Sequence, residues 1–231
     1  MLWNNTLPTT VLWSVATIAT YLLARRLYRR WPVWWMSPLA VTPILLLIAA
    51  VLLHVSYSDY IRSTHWLVML MGPATVAFAI PIYEHRALIR RHWPVLVAGI
   101  TVGSMAAMSS GWALAYLFGF NDTLRDSLIP RSMTTPFAMT VSADMGGIPE
   151  LTAIFVVITG VFGAVLGQIV LHYLPLQSAL ARGALFGVGA HGAGVAKARE
   201  VGHQEGAVAG LAMVMMGIFN ILLASAVLYF L

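Results

Sequence analysis

The chain has 231 residues, of which 60% are hydrophobic and 9% charged, with a mean hydropathy of +0.84. Soluble domains carry roughly a quarter charged residues, so a water-soluble globular fold and a separate soluble domain are both excluded. The formal charge of +5 comes from 13 Lys and Arg against 8 Asp and Glu. Those basic residues cluster between apolar runs without interleaved aromatics, which marks them as topology signals rather than a nucleic-acid surface.

At about 20 apolar residues per crossing, this composition predicts an all-α, multi-pass membrane protein of about seven or eight helices. It reads as a single transmembrane domain over 1–231, with halves at 1–120 and 125–231. With no cysteine in the sequence, a disulfide framework, Cys-ligated zinc or iron–sulfur and thiol chemistry all drop out.

The first apolar run, 9–24, has no basic residue before it and is followed by Arg25, Arg26, Arg29 and Arg30. That is the reverse of a cleavable signal peptide, so the run is expected to remain as a span with the N-terminus outside. A second run covers 38–57. The third, 66–83, contains Gly72, Pro73 and Pro81, a pattern for a broken helix. Glu84, Arg86, Arg90 and Arg91 close it before a fourth run at 93–118. Alternate loops are basic, so 86–92 is expected to be a cytoplasmic loop and 121–131 an outside loop, in which Asp122, Arg125, Asp126 and Arg131 cancel.

The second half is less regular. Residues 132–143 are too few to cross before Asp144, Gly146, Gly147 and Pro149; they either extend backward through Leu128 or re-enter. Runs 151–173 and 207–231 are clear spans, whereas 184–198 is short and rich in glycine. Irregular backbone at membrane depth is tolerated only against protein or a water-filled cavity, so both short segments should point inward. Residues 73–80 (PATVAFAI) faintly echo 136–143 (PFAMTVSA), the kind of internal repeat that flags a carrier's binding site.

Three constellations could carry chemistry. Gly189, Gly192 and Gly194, with Gly187, surround His191, and Lys197 and Arg199 follow. The functional reading is an unwound stretch whose amides and imidazole bind a carboxylate; the structural one is close helix packing with Lys197 and Arg199 as membrane-surface anchors. Ser132 and Met133 lead into Thr134, Thr135 and Pro136, where either threonine would cap a helix started by proline, as a second anion site or an ordinary surface cap. Gly72, Pro73, Ala74 and Thr75 form an analogous third point. Neither a Ser–His nor a His-Glu-x-x-His pattern is present, so no enzyme activity is expected, and no cofactor or metal. Glycines four apart (Gly99 and Gly103, Gly163 and Gly167, Gly183 and Gly187, and Gly202, Gly206 and Gly210) read as helix-packing notches.

Residues 70–86 (LMGPATVAFAIPIYEHR), 130–160 (PRSMTTPFAMTVSADMGGIPELTAIFVVITG), 190–200 (AHGAGVAKARE) and 205–213 (EGAVAGLAM) resemble the LrgB/CidB family of bacterial membrane proteins over nearly the whole chain. That resemblance implies a bacterial inner-membrane protein, similar to the membrane half of the plastidial glycolate/glycerate translocator. It further implies a secondary carrier of small monocarboxylates such as glycolate, glycerate or pyruvate, coupled to a proton or sodium ion. The alternative it carries is an antiholin-like regulator of murein hydrolase activity and autolysis. Its expected partners are the carboxylate, the bilayer, an LrgA/CidA-type small membrane protein and a second copy in a homodimer. Two departures stand out: Arg62, Ser63 and Thr64 replace a Gly-Gly pair, and Thr140 stands where relatives often carry an acid, which puts proton coupling in doubt.

Overall fold

The computed structural model describes residues 6–31, 33–77 and 79–230, and every secondary-structure element among them is helical. Contacts divide the chain into two units, Met1–Val76 and Ala77–Leu231.

In the first unit, α1 (Thr6–Arg30) packs against α2 (Pro38–Leu52) and, through aromatic and polar pairs, against α3 (Tyr57–Met69). Trp13 is buried with its ring edge-on to Tyr60, at 5.3 Å between centroids. The Tyr60 hydroxyl meets Thr17 Oγ1 at 2.9 Å, and Trp66 Nε1 donates to Ser14 Oγ at 2.8 Å. Helix α3 starts where Ser56 accepts from the Asp59 amide, a capped N-terminus. The run 66–83 is divided among the end of α3, α4 (Met71–Ala77) and α5 (Ala79–Glu84), as its glycine and prolines suggest.

The second unit is built on three long helices: α6 (Arg86–Leu117), α9 (Pro149–Tyr173) and α11 (His203–Phe230). Among the described residues, stretches in these three are the ones long and apolar enough to cross a membrane. The expected seven or eight crossings are therefore not confirmed. Residues 132–143 and 184–198 turn back instead of crossing, 66–83 is divided among short helices, and α2 is short. Residues 86–91 are not a loop but the first turns of α6, which kinks at His92 (φ −120°, ψ 18°) ahead of Pro94. Nor is 121–131 a loop. Asn121 accepts from the Leu124 amide and caps α7 (Asp122–Leu128), which runs into a 3-10 turn at Ile129–Ser132.

The chain reverses at Met133 and Thr134, both extended, and returns as α8 (Thr135–Met145), which Gly146 ends at φ 91°. The two arms are stitched at their open end: Thr152 Oγ1 lies 2.9 Å from the Ser127 carbonyl on one arm, to which it donates, and 2.6 Å from Ser142 Oγ on the other, whose hydroxyl can donate back to it. This is hairpin one. Hairpin two is α10 (Ala179–Val201), broken at His191. In a straight helix Phe186 and Ala198 would stand about 18 Å apart, yet they share one buried cluster with Ala209. A Cβ on Gly194 would run into the Phe186 carbonyl. At 1.5 Å per residue, arms of this length are too short for a hydrocarbon core of about 30 Å. Both segments are re-entrant.

Hairpin one opens at the start of α9 and hairpin two at its end, so they enter from opposite ends of that helix and their tips meet between. Segments 122–173 and 179–230 are thus two repeats of hairpin followed by crossing helix, inverted relative to each other. Gly160 and Gly217 stand at equal places in the two repeats, and each admits a tip. A Cβ at Gly160 would lie 3.3 Å from the Ala190 carbonyl oxygen; one at Gly217 would strike Phe137 and come within 3.4 Å of the Thr134 methyl. Most of the spaced glycines are notches of this sort: Gly163 meets Gly189, Gly167 meets Phe186, Gly183 meets Val208, Gly187 meets Ala209 and Gly206 meets Arg199. Gly99 faces open space.

Candidate functional site

At the tip of hairpin one, Pro136 occupies the first turn of α8, where its missing amide costs nothing. Thr134 is the N-cap by position (φ −64°, ψ 142°), but neither it nor Thr135 caps the helix with its side chain. The side-chain cap expected from the sequence is therefore not formed, because the Thr134 methyl turns toward the Gly217 notch on α11. Ser132, on the last residue of the 3-10 turn, is 4% exposed, and its hydroxyl has no partner.

At the tip of hairpin two, His191 takes φ 47° and ψ −128°. Such a conformation costs a non-glycine residue about 1–3 kcal/mol and persists where the surroundings enforce it. Here α9 and α11 hold the arm that leads to it, Gly163 of α9 against Gly189 and Ala190, and Gly187 against Ala209 of α11. The imidazole is 3% exposed and both ring nitrogens are unpartnered. It approaches the Ser132 main chain, short of hydrogen-bond geometry, and lies within electrostatic reach of Arg131. Gly189 and Gly192 flank it and face open space, whereas Gly194 is packed against Phe186. Past the break the helix restarts over 192–201, so its positive N-terminal end faces the tip.

The structure thus brings Thr134, Thr135 and Pro136 together with Gly189, His191, Gly192 and Gly194. It does not bring Lys197 and Arg199 to the tip. They lie along the returning arm, where Lys197 pairs with Glu200 at 2.8 Å and Arg199 packs on Gly206. Gly72 and Pro73 belong to α4 in the first unit, and the side chains of Ala74 and Thr75 lie outside the described residues.

Arg131 is the residue that the charge count missed. Asp122 and Asp126 do not cancel it, because Arg125 takes both, at 2.9 and 3.2 Å. Its polar contact is to Thr159 Oγ1 of α9 (3.4 Å from Nη1), and its buried Nε is unpartnered. Ser104 on α6 and Asn220 on α11 are fully buried in the same unit with no hydrogen-bond partner. Their signal was available in the sequence: a lone Asn in an apolar span is costly and calls for a reason. Unpartnered buried donors are rare in folded proteins. A cation without a carboxylate partner, an unpartnered imidazole and an unpartnered hydroxyl at two helix N-termini form an arrangement that can receive an anion.

The fold and this site define an all-α membrane protein with paired re-entrant helices. The profile of the LrgB-like family matches residues 17–230. An uncharacterized Bacillus subtilis protein, YwbG, is 38% identical over 93% of this chain and 95% of its own length, and a Haemophilus influenzae protein is 32% identical over 92% of each. The holin-like protein CidB of Staphylococcus aureus is 25% identical over 91% of this chain and 92% of its own. The chain belongs to the LrgB-like family. No solved structure matches it.

Proposed function

We propose that this protein is a secondary carrier of small monocarboxylates, acting without a cofactor, and that the substrate carboxylate sits between the two hairpin tips. The observation that carries this reading is the meeting of His191 and Ser132, both buried and unpartnered, at the tips of hairpins that open at opposite ends of α9. A site built from discontinuous helices inside an inverted repeat is what alternating access requires: each hairpin closes the site toward one side. A plain pore or scaffold has no need of broken backbone at that depth. The chain alone, reconstituted in vesicles, should take up labelled glycolate or pyruvate saturably, and unlabelled glycolate should compete. Uptake equal to empty vesicles for every small monocarboxylate would defeat the carrier reading.

The similarity to CidB, a holin-like protein, supports a second reading: a membrane regulator of cell-wall hydrolysis that carries no solute. Under it, His191→Ala and Ser132→Ala would leave autolysis unchanged in cells. Under the carrier reading, the same changes abolish uptake in vesicles that contain no cell wall.

A further inference from the structure

Among the described residues Arg131 has no carboxylate within ion-pair distance: the neighbouring Asp122 and Asp126 are both committed to Arg125. Its Nη1 reaches the neutral Thr159 hydroxyl at 3.4 Å, and its Nε, closed off from water, donates to nothing. The Nε edge packs next to Gly111 of α6, at 3.5 Å from where a Cβ would stand. The fold therefore holds a guanidinium at the tip of hairpin one, next in sequence to the unpartnered Ser132 hydroxyl and within electrostatic reach of the unpartnered His191 imidazole. The guanidinium is half-buried and has no carboxylate of its own, and arginine is the side chain whose geometry matches a planar carboxylate with two parallel N–H donors.

We infer that Arg131 is the charge-selecting residue of the site. Its Nε and Nη2 edge binds the substrate carboxylate, and because it is a single uncompensated cation, the site takes monoanions and rejects neutral isosteres and dianions. A neutral amide leaves the guanidinium unpaired; a dicarboxylate brings a second charge with no counterpart. This rests on the carrier reading for its transport consequences, but not for binding.

The test uses the whole chain with glycolate, glycolamide and malonate as probes. In vesicles the wild type should take up glycolate, with competition by glycolate far stronger than by glycolamide or malonate. Arg131→Gln should raise KM for glycolate roughly 10- to 100-fold, as expected for loss of a charged hydrogen bond. It should also lose the preference for glycolate over glycolamide, and Arg131→Lys should recover part of both. In detergent, glycolate should raise the melting temperature of the wild type and not that of Arg131→Gln. Without ligand, Arg131→Gln should melt close to the wild type, since the half-buried guanidinium gives up one long hydrogen bond to Thr159 and no ion pair; a structural role predicts a lower melting temperature. An unchanged KM and an unchanged glycolate-to-glycolamide ratio in Arg131→Gln would overturn the inference, as would a wild type that glycolate does not stabilise. If glycolate stabilises the wild type but not Arg131→Gln while no uptake occurs, the anion site stands and the carrier reading falls.

Discussion

The two hairpins do the same thing by different means. Hairpin one is closed at its mouth by neutral hydroxyls that water does not reach: Thr152 Oγ1 bonds the Ser127 carbonyl and the Ser142 hydroxyl, and Ser127 Oγ in turn accepts from the Ile148 amide at 2.8 Å. Hairpin two is closed at its mouth by one ion pair. Arg182 places Nη2 and Nε at 2.6 and 3.0 Å from the same Glu205 oxygen and spends its Nη1 on the Leu176 carbonyl. Hairpin one turns through two residues in ordinary extended conformations, hairpin two through a strained histidine. A network of fully buried, satisfied hydroxyls is rigid, whereas an ion pair whose arginine is about one-third exposed is weaker and screened by salt. The comparison teaches that hairpin two is the looser element.

The largest effect should come from filling a notch on hairpin two. Gly187→Ala drives a Cβ into the Ala209 backbone, and Gly194→Ala into the Phe186 carbonyl. Main chain yields less than side chain, so each should cost about 3 kcal/mol or more, at the upper end of overpacking costs, and lower the melting temperature in detergent. If both are tolerated, the arms of α10 do not fold on each other and the comparison collapses.

Next comes the mouth of hairpin one. Thr152→Val keeps the shape but leaves the Ser142 hydroxyl and the Ser127 carbonyl without their shared partner, at about 1–3 kcal/mol. That loss should be the same at low and high salt.

Glu205→Gln at the mouth of hairpin two should cost less, about 1–2 kcal/mol, and the difference from wild type should shrink with added salt. Hydrogen exchange should then rise over 179–202 while 122–148 stays unchanged. Equal acceleration in both hairpins would erase the distinction between them.

The smallest effect on stability is expected where the tip is open. Gly189→Ala and Gly192→Ala meet nothing within 4 Å and exchange glycine for a better helix former, so stability should change by less than about 1 kcal/mol while glycolate uptake falls.

Much of this fold was legible in the sequence because uninterrupted apolar length is a strong signal. The runs 151–173 and 207–231 became α9 and α11 nearly unchanged. Glycine and proline content marked 132–143 and 184–198 as interrupted. It did not show the direction the chain takes afterwards: glycines flanking His191 permit a kink or a reversal equally, and the notches on α9 and α11 decide between them. The charges of 121–131 were misjudged for a related reason. Counting them assumes that they are all solvated, whereas the Asn121 cap turns the segment into α7 and leaves Arg131 on the inward side of the 3-10 turn. Lys197 and Arg199 erred in the other direction, since closeness in sequence to His191 carried them along the arm and away from the tip.

The most direct test of a single site shared by two tips is ligand protection. Because the sequence contains no cysteine, Thr134→Cys on hairpin one, Gly192→Cys on hairpin two and Gly99→Cys on the open side of α6 each give one thiol. Saturating glycolate should slow modification of the first two by a small thiol reagent and leave the third unaffected. If glycolate protects only one tip, or neither, the two hairpins do not share an anion site.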